Sequence, residues 1–212
     1  MNLGDVLKEI LGAIAGFGRQ FVNLLSAPRA CAKVAHVFDA ARFDAALLFL
    51  GVSLILTMIL KAPMFGRQPD AFSYLAADAV WKFIVVLIEA AVIAGAWWVL
   101  GGNGNAGHYL VANCFYFGVL SVLGYAALLA LHGLAQIGSP GWRDGVWAIG
   151  VPPAAAATMW AFFAWRAYGD FNQASLGRTL AALGLVALGS FPVLCFGAIF
   201  RDQLVVRILA GP

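Results

Sequence analysis

The sequence predicts an all-α polytopic membrane protein, with five transmembrane helices preceded by an N-terminal amphipathic helix in the membrane interface. Three observations carry this reading. From Ala90 to Trp142 there is no Asp, Glu, Lys or Arg, a run too long to be the core of a water-soluble domain and one that avoids the cost of charge in hydrocarbon. It is interrupted near its middle by Gly101-Gly102-Asn103-Gly104-Asn105-Ala106-Gly107-His108, so it divides into two crossings of about 20 residues each, joined by a tight polar turn. The chain as a whole is 63% hydrophobic and 11% charged, against roughly 25% charged in an ordinary soluble domain, and its mean hydropathy is +0.88. Its 212 residues make one membrane domain and leave no room for a separate soluble one.

Residues 1–42 read as amphipathic cytoplasmic or interfacial helices. Leu3, Leu7, Ile10, Ile14, Phe17 and Phe21 recur at helical spacing, with Asp5, Lys8, Glu9 and Arg19 mostly elsewhere, the pattern of a helix lying in the membrane plane. Pro28 ends it, and a second short helix is expected over 29–39. The first residues carry acids rather than a basic start, and no small-residue cleavage site follows, so a signal peptide is not expected.

The five-helix transmembrane domain occupies residues 43–202, followed by a short tail, 203–212. The first span is expected over 43–60, closed by Lys61 and Pro63. The second covers 78–100 and the third 108–137, long enough to require tilt. The fourth covers 145–165 and the fifth 179–200, bounded by Arg178 and Arg201. Trp81, Trp97, Trp98, Tyr109, Trp142, Trp147, Trp165 and Tyr168 fall near these ends, where an amphipathic ring anchors at the interface. An odd number of spans places the termini on opposite sides. Lys8, Arg19, Arg29, Lys33, Arg42, Arg166 and Arg178 fall on one side, and fewer basic residues (Lys61, Arg67, Arg143, Arg201 and Arg207, with Lys82 near the edge) on the other. The bias puts the N-terminus in the cytoplasm.

Several functions lack their signatures. The net charge is +3 with scattered basic residues, which is no nucleic-acid footprint. Cys31, Cys114 and Cys195 are far apart and odd in number, so neither a disulfide framework nor a metal site is expected. Gly102 to Gly107 fits G-x-G-x-x-G, yet a span of membrane length precedes it and no carboxylate follows until Asp144. A dinucleotide site needs a strand before that motif and an acid about 20 residues later. No hydrolase, metalloprotease or phosphate-loop motif occurs, and Asp70, Asp78, Asp144, Asp170 and Asp202 read as dispersed loop acids. No catalytic, cofactor-binding or metal residue is assigned, no cofactor is expected, and the chain is not expected to be an enzyme.

The candidate transport or partner-contact residues are Glu89, Lys82, Asn113, His132 and Pro152. Glu89 lies deepest, and intramembrane carboxylates mark pathways or partners. The alternative is a carboxylate bonded to a neighbouring helix, or a protonated one. Lys82 shares a helix face with Glu89 but is displaced by about 10 Å along the axis, so the two do not pair directly; near the end of its span Lys82 can snorkel. Asn113 suits a bond across helices. His108 and His132, near opposite ends of the third span, read as structural or interfacial before they read as a proton relay. Pro152-Pro153 either kinks the fourth span beside a cavity or opens its first turn, and Phe191-Pro192 poses the same question in the fifth.

A further pattern is Leu24-Leu25-Ser26-Ala27-Pro28-Arg29 before the first span, the turn Gly101 to Gly104 leading into an aromatic third span, Trp160-Ala161-Phe162-Phe163-Ala164-Trp165 closing the fourth, and Ser175-Leu176-Gly177-Arg178 opening the fifth. Over about residues 20–200 this resembles the Yip1 domain family of five-span membrane proteins, in its compact bacterial form. The acidic-Leu-aromatic-Gly-Pro motif and long N-terminal domain of eukaryotic members are absent, and so is any basis for their link to Rab-type GTPases. The resemblance implies fold and topology, with no catalytic residues to carry over. Arg outnumbers Lys, and Ala and Gly abound, which favours a GC-rich bacterial source and the inner membrane. The expected function is that of a membrane scaffold, accessory or trafficking-like factor, working through the lipid bilayer and a protein partner or a homo-oligomer, without nucleic acid. The alternative is a small channel, transporter or lipid-translocating protein that uses Glu89 in a membrane cavity.

Overall fold

A computed structural model describes residues 3–27, 40–65, 71–137, 158–159 and 161–210. Among them every regular element is helical: α1 (Leu3–Ser26), α2 (Ala40–Phe65), α3 (Ala71–Val99), α4 (Ala106–Ile137), α5 (residues 161–171) and α6 (Leu176–Ala210). Four of these contain stretches long and apolar enough to cross a membrane: Phe43–Ala62, Tyr74–Val99, Ala106–Ala127 and Leu176–Val193. The shortest, at 18 residues, rises about 27 Å at 1.5 Å per residue, close to the hydrocarbon thickness of a bilayer. The chain is therefore read as an integral membrane protein. Most of the fourth expected span, including Pro152, lies outside the described residues, as does the short helix expected over 29–39.

The helices run further than hydropathy predicts. α2 continues through Lys61 and Pro63 to Phe65, α3 begins at Ala71 rather than at Asp78, and α6 extends to Ala210. Asp78 is thus a helical residue facing neighbours and not a loop acid. Its carboxylate meets two lysines, and a paired charge no longer has to end a span. Pro192 lies inside α6, so it is not a first-turn proline.

The packing order follows from which side chains meet. Phe49 of α2 packs against Phe115 of α4 with ring centroids 5.2 Å apart, and further along the same two helices Lys61 approaches Tyr125. These helices therefore run in the same direction and share the most extensive interface. α3 runs against α4, with Asn113 reaching back to Val86, and against α6, where Gly189 approaches Val92. α1 lies over the first half of α2: the Phe17 ring packs at a tilt against Phe49 at 4.9 Å and against Phe21 at 5.8 Å. Between α1 and α2 a cleft of about 230 Å³ is lined by Gly16, Phe17, Gln20, Ala45, Leu48 and Phe49, among others.

The core concentrates at one end of the bundle. Trp97, Tyr109, Tyr168 and Trp165 form a chain of ring contacts, Trp97 to Trp165 at 6.4 Å, Trp165 to Tyr168 at 5.2 Å and Tyr168 to Tyr109 at 5.7 Å. All four are buried. Proximity to a span end does not make them interface anchors, because the face of the helix decides, and theirs points inward. Trp98, 74% exposed, is the neighbour that suits that role.

α2 and α4 approach closely at Gly118. A Cβ there would come within 2.7 Å of Ser53 Oγ and 2.8 Å of Phe49 Cε1, whereas at Gly124 it would meet open space. Gly118→Val should therefore overpack the interface and cost about 1–3 kcal/mol. Gly124→Ala should be neutral or stabilising by up to about 1 kcal/mol, since alanine favours the helix. Thermal unfolding of the purified protein in detergent distinguishes the two, and equal midpoints for both variants would contradict this packing.

Candidate functional site

Polar side chains gather at three places. The first is the turn between α3 and α4. Gly101 adopts φ +71°, a left-handed conformation open to glycine. Its N–H donates to Trp98 O at 2.9 Å and that of Gly102 to Trp97 O at 2.7 Å, the paired bonds of a Schellman ending. Asn105 caps α4 by accepting from Gly107 N at 2.9 Å, and Asn103 Oδ1 accepts from Asn105 N at 2.9 Å; short amide side chains suit both tasks. The α5–α6 turn repeats the device with Gln173 at φ 53°. There the N–H of Ala174 donates to Gly169 O at 2.8 Å and that of Gln173 to Asp170 O at 3.2 Å.

Asn172 joins the two turns. Its Oδ1 accepts from Asn103 N at 2.6 Å, while its Nδ2 donates to Tyr109 Oη at 2.6 Å and to Tyr168 O at 2.8 Å. The Tyr109 hydroxyl in turn donates to Asn103 O at 2.7 Å. Arg178, in the first turn of α6, donates to Leu100 O, one of the carbonyls left over at the end of α3. Arg166 donates to Ala174 O at 3.1 Å and to Thr179 Oγ1 at 2.8 Å, and Trp165 Nε1 donates to Thr179 O at 3.1 Å. The G-x-G-x-x-G match thus lies between two helices and closes their turn.

The second place is near the middle of α3 and in the first third of α4. Asn113, fully buried, directs its Nδ2 at Val86 O, 3.3 Å away, and at Glu89 Oε2, 3.5 Å away. This is the expected bond across helices, and it brings two of the candidate residues together. Lys82 does not join them.

Lys82 belongs to the third place, at the opposite end of the bundle from Asn172. Lys61 Nζ donates to Asp78 Oδ2 at 2.5 Å, and Lys82 Nζ lies 2.9 Å from the same oxygen. Both ammonium groups sit over the Tyr125 ring, 4.3 and 4.1 Å from its centroid, within cation–π range. Lys61, Asp78 and Tyr125 were not expected as site residues. The available signal was the i, i+4 spacing of Asp78 and Lys82, hidden because Asp78 reads as a boundary. His132 is part of α4, its side chain outside the described set, and Pro152 lies outside it altogether. Among the described residues no group of three His, Cys, Asp or Glu stands close enough to hold a metal ion.

Comparison with known proteins returns nothing: no family model, no curated protein and no solved structure matches the chain.

Asn172 and Asn113 can be ranked by what each leaves behind. Asn172→Ala removes three hydrogen bonds and strands the Asn103 N–H, so it should cost about 2 kcal/mol or more. Asn113→Ala removes one cross-helix donor, a loss of about 0.6–1.7 kcal/mol in a bilayer. Unfolding by added denaturing detergent should order the midpoints as wild type, Asn113→Ala, Asn172→Ala; the reverse order would contradict the assignment of Asn172 as the stronger tie.

Proposed function

We propose that the chain is a five-span membrane protein of Yip1-like type, with its N-terminus on the cytoplasmic side of a bacterial inner membrane and α1 amphipathic in the interface. It acts without catalysis, as a scaffold or accessory protein that packs against a protein partner or a second copy of itself. The observation that supports this best is where the intramembrane polar groups go. Asn113 bonds to α3; Lys61, Asp78 and Lys82 bind α2 to α3. Ser53 donates to Phe49 O at 2.8 Å and Thr57 to Ser53 O at 2.7 Å, within α2 itself. Polar groups used in this way are satisfied between or within helices rather than lining a shared path. The chain then offers its surroundings apolar faces, with Leu188 and Phe191 of α6 and Leu48 and Ile59 of α2 exposed. The position of α1 fits an interfacial helix: Phe17 lies on Phe49, with Phe21 beside Phe17, while Arg19 is exposed.

A transport reading draws less support, because the Glu89 carboxylate meets Asn113 and the cleft beside α1 is lined by other residues.

Cys195, exposed on α6, provides a native probe. Bismaleimide crosslinking in intact membranes is expected to yield a discrete species containing the partner or a second copy, lost in Cys195→Ser. A chain that stays monomeric in crosslinking and in purification from native membranes would overturn the scaffold reading. Solute flux in proteoliposomes that Glu89→Gln abolishes would replace it with transport.

A further inference from the structure

The cluster at Asp78 carries a charge imbalance that the packing leaves unresolved. Lys61 and Lys82 share a single oxygen of a single carboxylate, in a site where all three side chains are 9–13% exposed. Lys61 hydrogen-bonds to that oxygen. Lys82 is close enough for an ion pair, yet its buried Nζ makes no aligned hydrogen bond. Each ammonium has three donors to place, and the Tyr125 face compensates charge without accepting a directed bond from each. Neither lysine has a second carboxylate within ion-pair distance among the described residues. Among the described residues the site therefore holds one more positive than negative charge, and Lys82 Nζ has no aligned acceptor, in surroundings where an uncompensated charge is costly.

Its depth suggests what completes it. Lys61 is one residue from the end of the apolar stretch Phe43–Ala62, Tyr125 two residues from the end of Ala106–Ala127, and Asp78 one turn inside Tyr74–Val99. That is the level at which acyl chains give way to headgroups. We propose that this cluster binds a net-negative phosphate group, with Lys82 and Lys61 donating to its oxygens and the Tyr125 ring beneath the two ammonium groups. A phosphate accepts from several donors at once and is well matched to lysine as a point charge. Basic pockets between membrane helices hold anionic headgroups in the same way. The shared chemistry has two sources, the phosphodiester of an anionic phospholipid and free phosphate, and the depth favours the lipid.

The test uses the full chain purified in an uncharged detergent, with thermal unfolding read against added phosphatidylglycerol, diacylglycerol of the same acyl chains, or inorganic phosphate. Phosphatidylglycerol is expected to raise the midpoint saturably, and diacylglycerol to leave it unchanged. Lys82→Met should weaken phosphatidylglycerol binding about tenfold, the size of one charge-assisted contact, while its own unliganded midpoint stays equal or rises because the unbalanced charge is gone. Lys82→Arg, which keeps the charge, should retain binding. A matching shift with inorganic phosphate at equal concentration would support the site and assign the free anion as its source. If no phosphate compound shifts the midpoint, if diacylglycerol shifts it equally, or if Lys82→Met binds phosphatidylglycerol like wild type, the proposal is overturned.

Discussion

A bilayer interior offers no water to complete a hydrogen bond, so each helix end that turns back near it must find its partners within the protein. Asn172 meets this constraint for two turns at once. The N–H of Asn103 and the hydroxyl of Tyr109 belong to the α3–α4 connection, the carbonyl of Tyr168 to α5, and a single amide side chain bonds to all three. Arg178 adds the end of α3 to the same network by donating to Leu100 O. The positions of α3, α4, α5 and the start of α6 at this end are thus mutually dependent. The buried aromatic chain from Trp97 to Tyr109 fills the space beneath them, which keeps water from competing for those bonds.

The same constraint explains which parts of the fold are legible in sequence. Apolar length is a local property, and it places the first, second, third and fifth expected spans on helices of the structure. The α3–α4 turn is legible too, because a Schellman ending favours glycine where φ is positive and Asn105 is a natural cap. What local pattern does not carry is the direction a side chain faces and what waits there. Asp78 reads as a boundary because an isolated carboxylate is costly in hydrocarbon, and nothing in its neighbourhood of sequence reveals Lys61 across the hairpin. Trp97 and Tyr109 read as interface anchors by position, and are buried because their faces of α3 and α4 look inward. Asn172 is one amide in a short polar loop; its role depends on the arrival of Asn103, 69 residues away in sequence. Of the candidate residues, Glu89 and Asn113 meet as a cross-helix pair, while Lys82 turns to the charge that sequence treats as outside the span.

The two ends of the bundle solve the constraint by different means. The Asn172 end relies on amides, hydroxyls and backbone groups at 2.6–2.8 Å, joined by two guanidinium groups that donate to backbone carbonyls, and these bonds depend on direction and fix helices in one arrangement. The Asp78 end uses charge, which acts over a longer range and tolerates looser geometry. One lysine would suffice to neutralise Asp78 and tie α2 to α3. A second lysine on the same oxygen adds a desolvated charge from α3 itself, and its contact with another helix is the Tyr125 ring of α4, a face that accepts no directed hydrogen bond. Helix packing therefore accounts for the Lys61 hydrogen bond more fully than for the Lys82 charge. The Asn172 end matches most of its donors to acceptors of its own turns, although the buried Trp97 Nε1 has no hydrogen-bond partner among the described residues. The charged end keeps a buried cation, Lys82, whose nearest acceptor is already taken by Lys61.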